Sequence, residues 1–202
     1  MTTLIAVQND NWCIIAGDSQ TTSYHLSADC SPMGKIAQNG KYLVAAAGLV
    51  RGMNLIQHAF VPPRAPKNNL DKFMVTKFLP ALRSCFVKSG YDMKDDGDVA
   101  SHDNEFLVAV NGTIYLIDEV YGIERTANKI YVTGSGMELA LGAAHALGLQ
   151  YVDDWEVAID IVQQAVETAI KYDVYSGGLV QVALQDRSGQ TWITHLDPED
   201  DE

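Results

Sequence analysis

The sequence has few cysteines, few positive charges and no long apolar run. Its three cysteines in 202 residues form no C-x-x-C pair, which argues against a disulfide framework and a zinc site and fits a reducing cytoplasm. No apolar run of about 18 residues predicts a membrane span, and no secretory signal pattern is present. Its 14 Lys and Arg against 26 Asp and Glu give a net charge of −12, which disfavours nucleic acid and anionic membranes as partners.

Motifs for nucleotides, metals and serine hydrolases are also absent. The sequence has no Walker, Rossmann or G-x-S-x-G motif, and its five histidines show no ligand spacing. The carboxylate-rich stretch 91–104 lacks the alternating pattern of a calcium loop. We therefore expect neither a cofactor nor a metal. We expect the stretch 91–104 to be a solvated loop, the acidic tail 197–202 to be disordered, and residues 1–196 to form a single domain.

The order of the predicted elements indicates an α+β domain with mainly antiparallel sheets. The predicted strands are 3–8, 12–17, 41–50, the hairpin EFLVAVNGTIYLID around Asn111-Gly112, IYVTGSG, and the hairpin LVQVALQDRSGQTWITHL. The predicted helices are 52–60, 70–90 with a kink at Pro80, 137–149, and 154–172 with Asp153 or Asp154 as its N-cap. The segment VPPRAPKNN, with its three prolines, predicts no regular element.

Two threonines follow Met1 at the entrance to the first predicted strand. A threonine hydroxyl needs a base beside it, and an N-terminal threonine carries one in its own α-amino group, whose ordinary pKa is about 7.7–8.0. Removal of Met1 would expose this amine on Thr2. A plain structural reading is also open, because β-branched residues favour strands.

Charged residues at the ends of apolar segments are candidates for supporting that threonine. Asp18 follows the strand WCIIAG, and Lys35 lies at the edge of the next apolar segment. A lysine ammonium would favour a neutral amine and stabilise negative charge at the hydroxyl, while a carboxylate would hold the lysine charged and in place. Gly48, after three alanines, allows a close approach of its N–H as an oxyanion donor. Solvated charges and a tight bend are the alternatives.

Two further segments, VTGSGM and KYDVYSGG, combine polar residues with glycine at the ends of elements. Ser135 is placed to cap the helix that follows it. Asp173 and Ser176 follow the predicted helix 154–172, where the helix dipole disfavours a carboxylate. A turn is the simpler role for these residues, and a functional role is the alternative.

Taken in this order and spacing, the segments resemble the proteasome β-subunit and HslV-type peptidases, a family of N-terminal nucleophile (Ntn) hydrolases. The matching segments, from residue 2 to residue 178, are TTLIAV, AGDSQ, GKI, AAGLV, TGSGM and KYDVYSGG. The resemblance implies a four-layer αββα sandwich, with two mainly antiparallel sheets between helix layers. It also implies a role for each candidate: Thr2 as nucleophile and base after loss of Met1, Lys35 tuning the proton transfer, Asp18 orienting Lys35, Gly48 as oxyanion donor, and Ser135, Asp173 and Ser176 positioning the amine and the water.

The implied reaction is hydrolysis of peptide bonds, in peptides or unfolded proteins, through an acyl ester on Thr2. The implied assembly is a homo-oligomeric hexameric or heptameric ring, single or stacked, served by a separate ATPase or α-ring partner. Ala46 and Val50, which flank Gly48, are expected to line a moderately apolar primary specificity pocket. Two alternatives stay open: a non-catalytic ring or scaffold subunit that retains Met1, and an Ntn amidohydrolase acting on small amides.

Overall fold

The computed structural model describes residues 2–22, 28–30, 34–92 and 99–196. The strands are β1 (Thr3–Gln8), β2 (Trp12–Asp18), β3 (Gln20–Thr22), β4 (Ala28–Cys30), β5 (Ile36–Asn39), β6 (Tyr42–Gly48), β7 (Asn104–Val110), β8 (Thr113–Ile117), β9 (Ile123–Glu124), β10 (Ile130–Gly134), β11 (Val180–Asp186) and β12 (Thr191–Leu196). The helices are α1 (Val50–His58), α2 (Leu70–Phe73), α3 (Leu79–Lys88), α4 (Met137–Ala146) and α5 (Trp155–Tyr172), with a π-helical stretch at Met74–Phe78 and a 3₁₀ turn at Leu149–Tyr151. Met1, the acidic tail 197–202 and the 93–98 part of the acidic stretch lie outside the described residues. The prediction of a solvated loop is wrong for other residues of that stretch, since Tyr91, His102 and Asn104 are buried and Asn104 begins β7.

Two five-stranded antiparallel sheets form the centre of the fold. The first sheet has the order β10-β1-β2-β11-β12 and the second the order β5-β6-β7-β8-β9, while β3 and β4 pair separately. In the first sheet, Thr3 lies opposite Gly134 and Asp18 lies opposite Val180. This register brings the start of β1, the end of β2 and the start of β11 to the same end of the sheet.

Helices cover the outer face of each sheet, so the fold is the predicted four-layer αββα sandwich. Successive side chains of a strand point to opposite faces, and β1 is apolar on both. Ile5 and Val7 pack against α4 and α5, while Leu4 and Ala6 pack between the two sheets. Helices α1 and α3 cover the second sheet through an aromatic cluster that includes Phe86. Each fully buried Leu or Ile side chain stabilises the fold by about 1.5–3 kcal/mol.

The helix ends and turns show how the sequence sets these boundaries. Asp154 is the N-cap of α5, and its carboxylate accepts a hydrogen bond from Glu156 N at 2.9 Å. Of the two predicted cap residues, Asp153 and Asp154, the second therefore caps the helix. The turn between β7 and β8 has positive φ at both Asn111 (50°) and Gly112 (67°), as a type I′ hairpin turn requires.

The segment around Pro80 changes helix type. Pro80 lies in the first turn of α3, directly after the π-helical stretch Met74–Phe78. Proline has no N–H to donate to the carbonyl four residues earlier, and the helical hydrogen-bond pattern changes at this point of the chain. The apolar run 41–50, which is expected to end near Gly48, forms a strand that ends at Gly48, where a φ of 112° turns the chain into α1.

Candidate active site

Asp18, at the end of β2, is completely buried and its carboxylate is fully hydrogen-bonded. Its Oδ1 accepts from Lys35 Nζ at 2.6 Å and from Thr3 N at 2.8 Å. Its Oδ2 accepts from Gly177 N at 3.0 Å and from Gln20 N at 3.2 Å. A buried charge is costly unless such partners satisfy it, so these contacts hold the carboxylate and the lysine ammonium in one fixed arrangement.

Lys35 lies where the two sheets meet, and Gln181 fixes its backbone there. The side-chain Oε1 of Gln181, on β11 of the first sheet, accepts from Lys35 N at 3.0 Å and from Ile36 N at 2.9 Å. Its Nε2 donates to Ile36 O at 2.9 Å. A Cβ on Gly34 would lie 2.4 Å from Gln181 Oε1, so the chain needs glycine before Lys35. Through Gln181, the first sheet positions a lysine that belongs to the second.

A chain of hydroxyl groups links the first two threonines to Asp173. Ser135 Oγ donates to Asp173 Oδ2 at 2.7 Å and accepts from Thr2 N at 3.4 Å. Ser176 Oγ also donates to Asp173 Oδ2 at 2.7 Å, and it lies 2.6 Å from Thr3 Oγ1. Burial raises the pKa of Asp173, but the hydrogen bonds from Ser176 and Ser135 outweigh that effect and hold the pKa below its usual value. Asp173 is therefore an anion that orders both serines.

Thr2 lines a small cleft of about 80 Å³ at this end of the sandwich. Thr2 itself is only 4% exposed. Lys35 and Gly48 line the same cleft, so three of the predicted site residues surround one space. The remaining wall residues come from β3, from the segment before β5, and from β6 and α1; they are Gln20, Thr21, Thr22, Gly34, Ala46, Leu49, Val50, Met53, Asn54 and Gln57.

Gly48 has a backbone conformation that favours glycine. Its φ is 112°, and a Cβ at this position would lie 2.1 Å from Asp103 O. L-residues with a side chain rarely adopt such a φ. The exposed backbone of Gly48 therefore faces the cleft at a point where no side chain can stand between it and a ligand.

The structure brings all the predicted site residues to this end of the sandwich. Asp18 and Lys35 form one cluster, and Ser135, Asp173 and Ser176 form a second. The Thr2-Thr3 dipeptide joins the two, since Thr3 N donates to Asp18 and Thr2 N donates to Ser135. Ser135 does not cap α4, because Gly136 is the N-cap residue and makes no side-chain capping bond.

Sequence reasoning missed three residues that hold these clusters together: Thr3, Gly177 and Gln181. Thr3 contacts both clusters, through its backbone N–H to Asp18 and through its hydroxyl to Ser176. Gln181 is a polar residue inside the apolar strand LVQVAL, and this break in the apolar pattern could have marked it as a candidate site residue. Within the described ranges, no group of three or more His, Cys, Asp or Glu side chains is placed to hold a metal ion. No helix in the described part of the chain is long and apolar enough to cross a membrane.

Comparison with solved structures identifies this fold. BPH from Thiobacillus denitrificans, solved alone and in complex with epoxomicin, superposes with a TM-score of 0.70 at 22% identity, over 98% of this chain and 100% of BPH. HslV from Trypanosoma brucei superposes with a TM-score of 0.58 at 20% identity, over 98% of this chain and 100% of HslV. A Gly-1 mutant of Anbu from Hyphomicrobium sp. strain MC1 gives a TM-score of 0.71 at 8% identity, over 100% of this chain and 89% of Anbu.

The chain therefore has the fold of the HslV- and proteasome-type Ntn hydrolases, along its whole length. At the level of sequence, no protein-family model matches the chain and no curated protein is significantly similar to it. The predicted resemblance is thus confirmed for the fold, while the roles of individual residues stay predictions.

Proposed function

We propose that this chain is a threonine-type endopeptidase subunit of a proteasome-like ring, which hydrolyses peptide bonds through an acyl ester on Thr2 after removal of Met1. One observation carries the proposal. Thr2 shares its cleft with Lys35 and Gly48, and its backbone nitrogen contacts the Ser135–Asp173 pair. A nucleophile, a fixed positive charge, an oxyanion donor and a group that orients the amine thus meet at one residue.

In the proposed reaction, the α-amino group of Thr2 takes the proton from the Thr2 hydroxyl. The hydroxyl oxygen attacks the substrate carbonyl carbon, and the resulting oxyanion accepts a hydrogen bond from Gly48 N–H. The intermediate collapses to an ester, and the leaving amine takes the proton from the Thr2 ammonium. A water molecule then attacks the ester, with the same amine as base, and releases the acid and the free threonine.

The two clusters have separate tasks in this scheme. The ammonium of Lys35, held by Asp18 at 2.6 Å, favours a neutral Thr2 amine and stabilises negative charge at its hydroxyl. Ser135 lies 3.4 Å from the Thr2 nitrogen that becomes the amine, and its hydrogen bond to Asp173 orients it. The geometry supports this division because Lys35 bonds the carboxylate of Asp18, whereas Ser135 and Ser176 bond that of Asp173.

The lining of the cleft supports a substrate preference. Ala46 and Val50 line the cleft beside Gly48, together with Met53. These side chains are uncharged and of small or medium size, so we propose that the residue before the cut is apolar and of moderate size. The proposed substrates are peptides and unfolded proteins. The likeness to HslV and BPH supports assembly into a homo-oligomeric ring with a separate ATPase or α-ring partner, and the low cysteine content supports a cytoplasmic location.

Labelling with a threonine-directed electrophile tests the nucleophile and the processing together. The purified protein is incubated with a peptide epoxyketone, and its intact mass and labelled peptide are measured. We expect a mass without Met1 and an adduct on Thr2. Thr2→Ala should give no adduct and no turnover of small peptide substrates, while its assembly stays as in the wild type. Thr168→Ala is the matched control, because Thr168 is a half-buried threonine on α5, outside the cleft, whose hydroxyl donates to Gln164 O; it should behave as the wild type.

The other outcomes each select a different function. Retention of Met1 without an adduct would overturn the peptidase and favour a scaffold subunit, since the nitrogen of Thr2 would then be an amide and no base. Turnover that survives Thr2→Ala would remove the nucleophile assignment. Turnover of small amides but not of peptides, by a protein that forms no ring in light scattering, would favour an amidohydrolase.

A further inference from the structure

Asn104, the first residue of β7, is buried beside the oxyanion donor and contacts the backbone on both sides of it. Its side-chain Nδ2 donates to Ala47 O at 2.9 Å and to Leu49 O at 3.0 Å. These carbonyls flank Gly48. Asn104 is 1% exposed, so water does not compete for either hydrogen bond. One amide group therefore clamps the chain before and after the glycine whose φ is 112°.

The contact with Ala47 O fixes the direction of the Gly48 N–H. A peptide unit is planar and trans, so its C=O and its N–H point in opposite directions. The carbonyl of Ala47 and the N–H of Gly48 belong to the same unit. Because Asn104 holds the carbonyl on the β7 side, the N–H points away from β7. That is the side of the strand where Ala46 N donates to Lys35 O at 3.2 Å, and where Lys35 and Thr2 line the cleft.

The contact with Leu49 O holds the other side of the turn. Leu49 is the N-cap of α1 and makes no side-chain capping bond. Its carbonyl accepts from Gly52 N at 3.1 Å in addition to Asn104 Nδ2. A glycine at positive φ has several accessible backbone conformations, and both neighbours must be fixed for one of them to persist. Asn104 fixes both.

Asn104 is itself held rigidly. Tyr91 donates its hydroxyl to Asn104 Oδ1, and Asn104 N donates to His102 Nδ1 at 3.3 Å. A Cβ on Gly52 would lie 2.0 Å from Asn104 Oδ1, so α1 packs directly on the amide. The buried amide therefore has a partner for each of its polar atoms, and its rotamer is determined by its neighbours.

We propose that Asn104 is a positioning residue that aims the Gly48 N–H at the developing oxyanion. This inference rests on the proposed function, because the oxyanion forms only in the proposed reaction. Asn104 lies outside the site that the sequence predicted. Asn104 touches no substrate. It acts through the Ala47–Gly48 peptide, so its removal should impair the transition state more than substrate binding.

The test compares Asn104→Ala with Asn39→Ala. Asn39 makes the same kind of clamp at the other end of α1, where its Nδ2 donates to Ile56 O at 2.7 Å and to Phe60 O at 2.8 Å. Asn104→Ala loses three side-chain hydrogen bonds and Asn39→Ala loses two, and both variants should lower the Tm. Only Asn104→Ala should lower kcat for a small peptide substrate, by about 10- to 100-fold with KM changed by less than about twofold. Equal kcat in the two variants, or a rise in KM alone, would overturn the proposal.

Tyr91→Phe is a milder variant that removes only the hydroxyl bonded to Asn104 Oδ1. It should keep the fold and lower kcat by about three- to tenfold, in the same direction as Asn104→Ala. An unchanged kcat would count against the clamp.

A crystal structure of Asn104→Ala separates the clamp from the proposed function. We expect the Ala47–Gly48 peptide to rotate in this variant, and an unchanged orientation would overturn the clamp whatever the activity. By contrast, turnover that persists in Thr2→Ala would overturn the proposed function without bearing on the orientation of this peptide.

Discussion

At the cleft end of the sandwich Lys35 and Asp18 form a buried ion pair, whereas at the opposite end Lys129 and Asp10 form an exposed one. The N–O distances are 2.6 and 3.0 Å, but the side-chain exposures are 10% and 0% for the first pair and 45% and 90% for the second. A buried ion pair contributes little net stability compared with apolar residues. The difference teaches that the pair at the cleft end fixes the position of Lys35 more than it stabilises the fold.

The opposite end, here called the turn end, includes an exposed arginine that joins two turns. Arg187 donates to Asp10 O at 2.7 Å and to Asn111 O at 3.4 Å, and so joins the β1–β2 turn to the β7–β8 turn. The ion pair at the turn end is therefore solvated, whereas the ion pair at the cleft end is buried. Matched substitutions at the two ends test whether this contrast reflects function.

The largest difference is expected for the two lysines. Lys35→Met leaves the Asp18 carboxylate buried without its cation, which should lower stability by about 3–5 kcal/mol and abolish peptide hydrolysis. Lys129→Met removes an exposed pair and should leave both properties unchanged. Denaturant unfolding and turnover of a small peptide substrate measure the two effects. Equal effects of the two substitutions would show that burial does not distinguish the pairs.

A smaller difference is expected for two glycines at the ends of β6: Gly40, which precedes the strand, and Gly48, which is its last residue. Gly40 has a φ of 61° and a Cβ there would meet nothing within 4 Å, so Gly40→Ala should cost about 1–2 kcal/mol, with activity unchanged. Gly48→Ala places a Cβ 2.1 Å from Asp103 O as well, so the backbone must shift and the oxyanion donor moves with it. We expect a larger loss of Tm and a loss of kcat of about 100-fold or more. A fully active Gly48→Ala would contradict the role of its N–H.

The smallest difference is expected for two serine–aspartate contacts. At the turn end, the hydrogen bond from Ser188 lowers the pKa of Asp186. At the cleft end, burial raises the pKa of Asp173, but the hydrogen bonds from Ser176 and Ser135 lower it by more. A carboxyl whose folded-state pKa is lowered contributes stability that is complete at neutral pH and is lost as the pH falls through that pKa. The Tm of either variant, Ser176→Ala or Ser188→Ala, should therefore fall less than that of the wild type between pH 5 and pH 3.

Activity separates these two serines at neutral pH. Ser176→Ala should lower peptide turnover by about three- to tenfold, the effect of one hydrogen bond to a partly exposed charge. Ser188→Ala should leave turnover unchanged. Loss of activity in Ser188→Ala would indicate a general effect of stability on the site.

Much of the fold was predictable because its signals are local. The apolar runs of β1 and β2, the Asn111-Gly112 turn and the cap before α5 each depend on a few neighbouring residues, and the structure confirms them. The short strands β3 and β5 were not predicted, because three or four residues carry too little periodicity.

The geometry of the candidate site was not predictable from local pattern. Its contacts join residues far apart in the chain, such as Thr2 with Ser135 and Lys35 with Gln181. Such pairs leave no periodic trace in one sequence, and the resemblance to a known family supplied their grouping. Gln181 and Asn104 lay outside that resemblance, and only the folded backbone shows which carbonyls and amides they contact.

Thr2 and Thr3 are chemically identical, yet their surroundings differ. Thr2 lines the cleft, and Thr3 Oγ1 lies 2.6 Å from Ser176 Oγ. In the proposed enzyme, an aminopeptidase that cut one bond too far would leave a mature terminus of the right residue type whose hydroxyl is bonded to Ser176. Maturation must therefore remove Met1 and nothing more. Loss of Thr2 as well would give an inactive subunit, and identification of the amino-terminal residue would still find threonine.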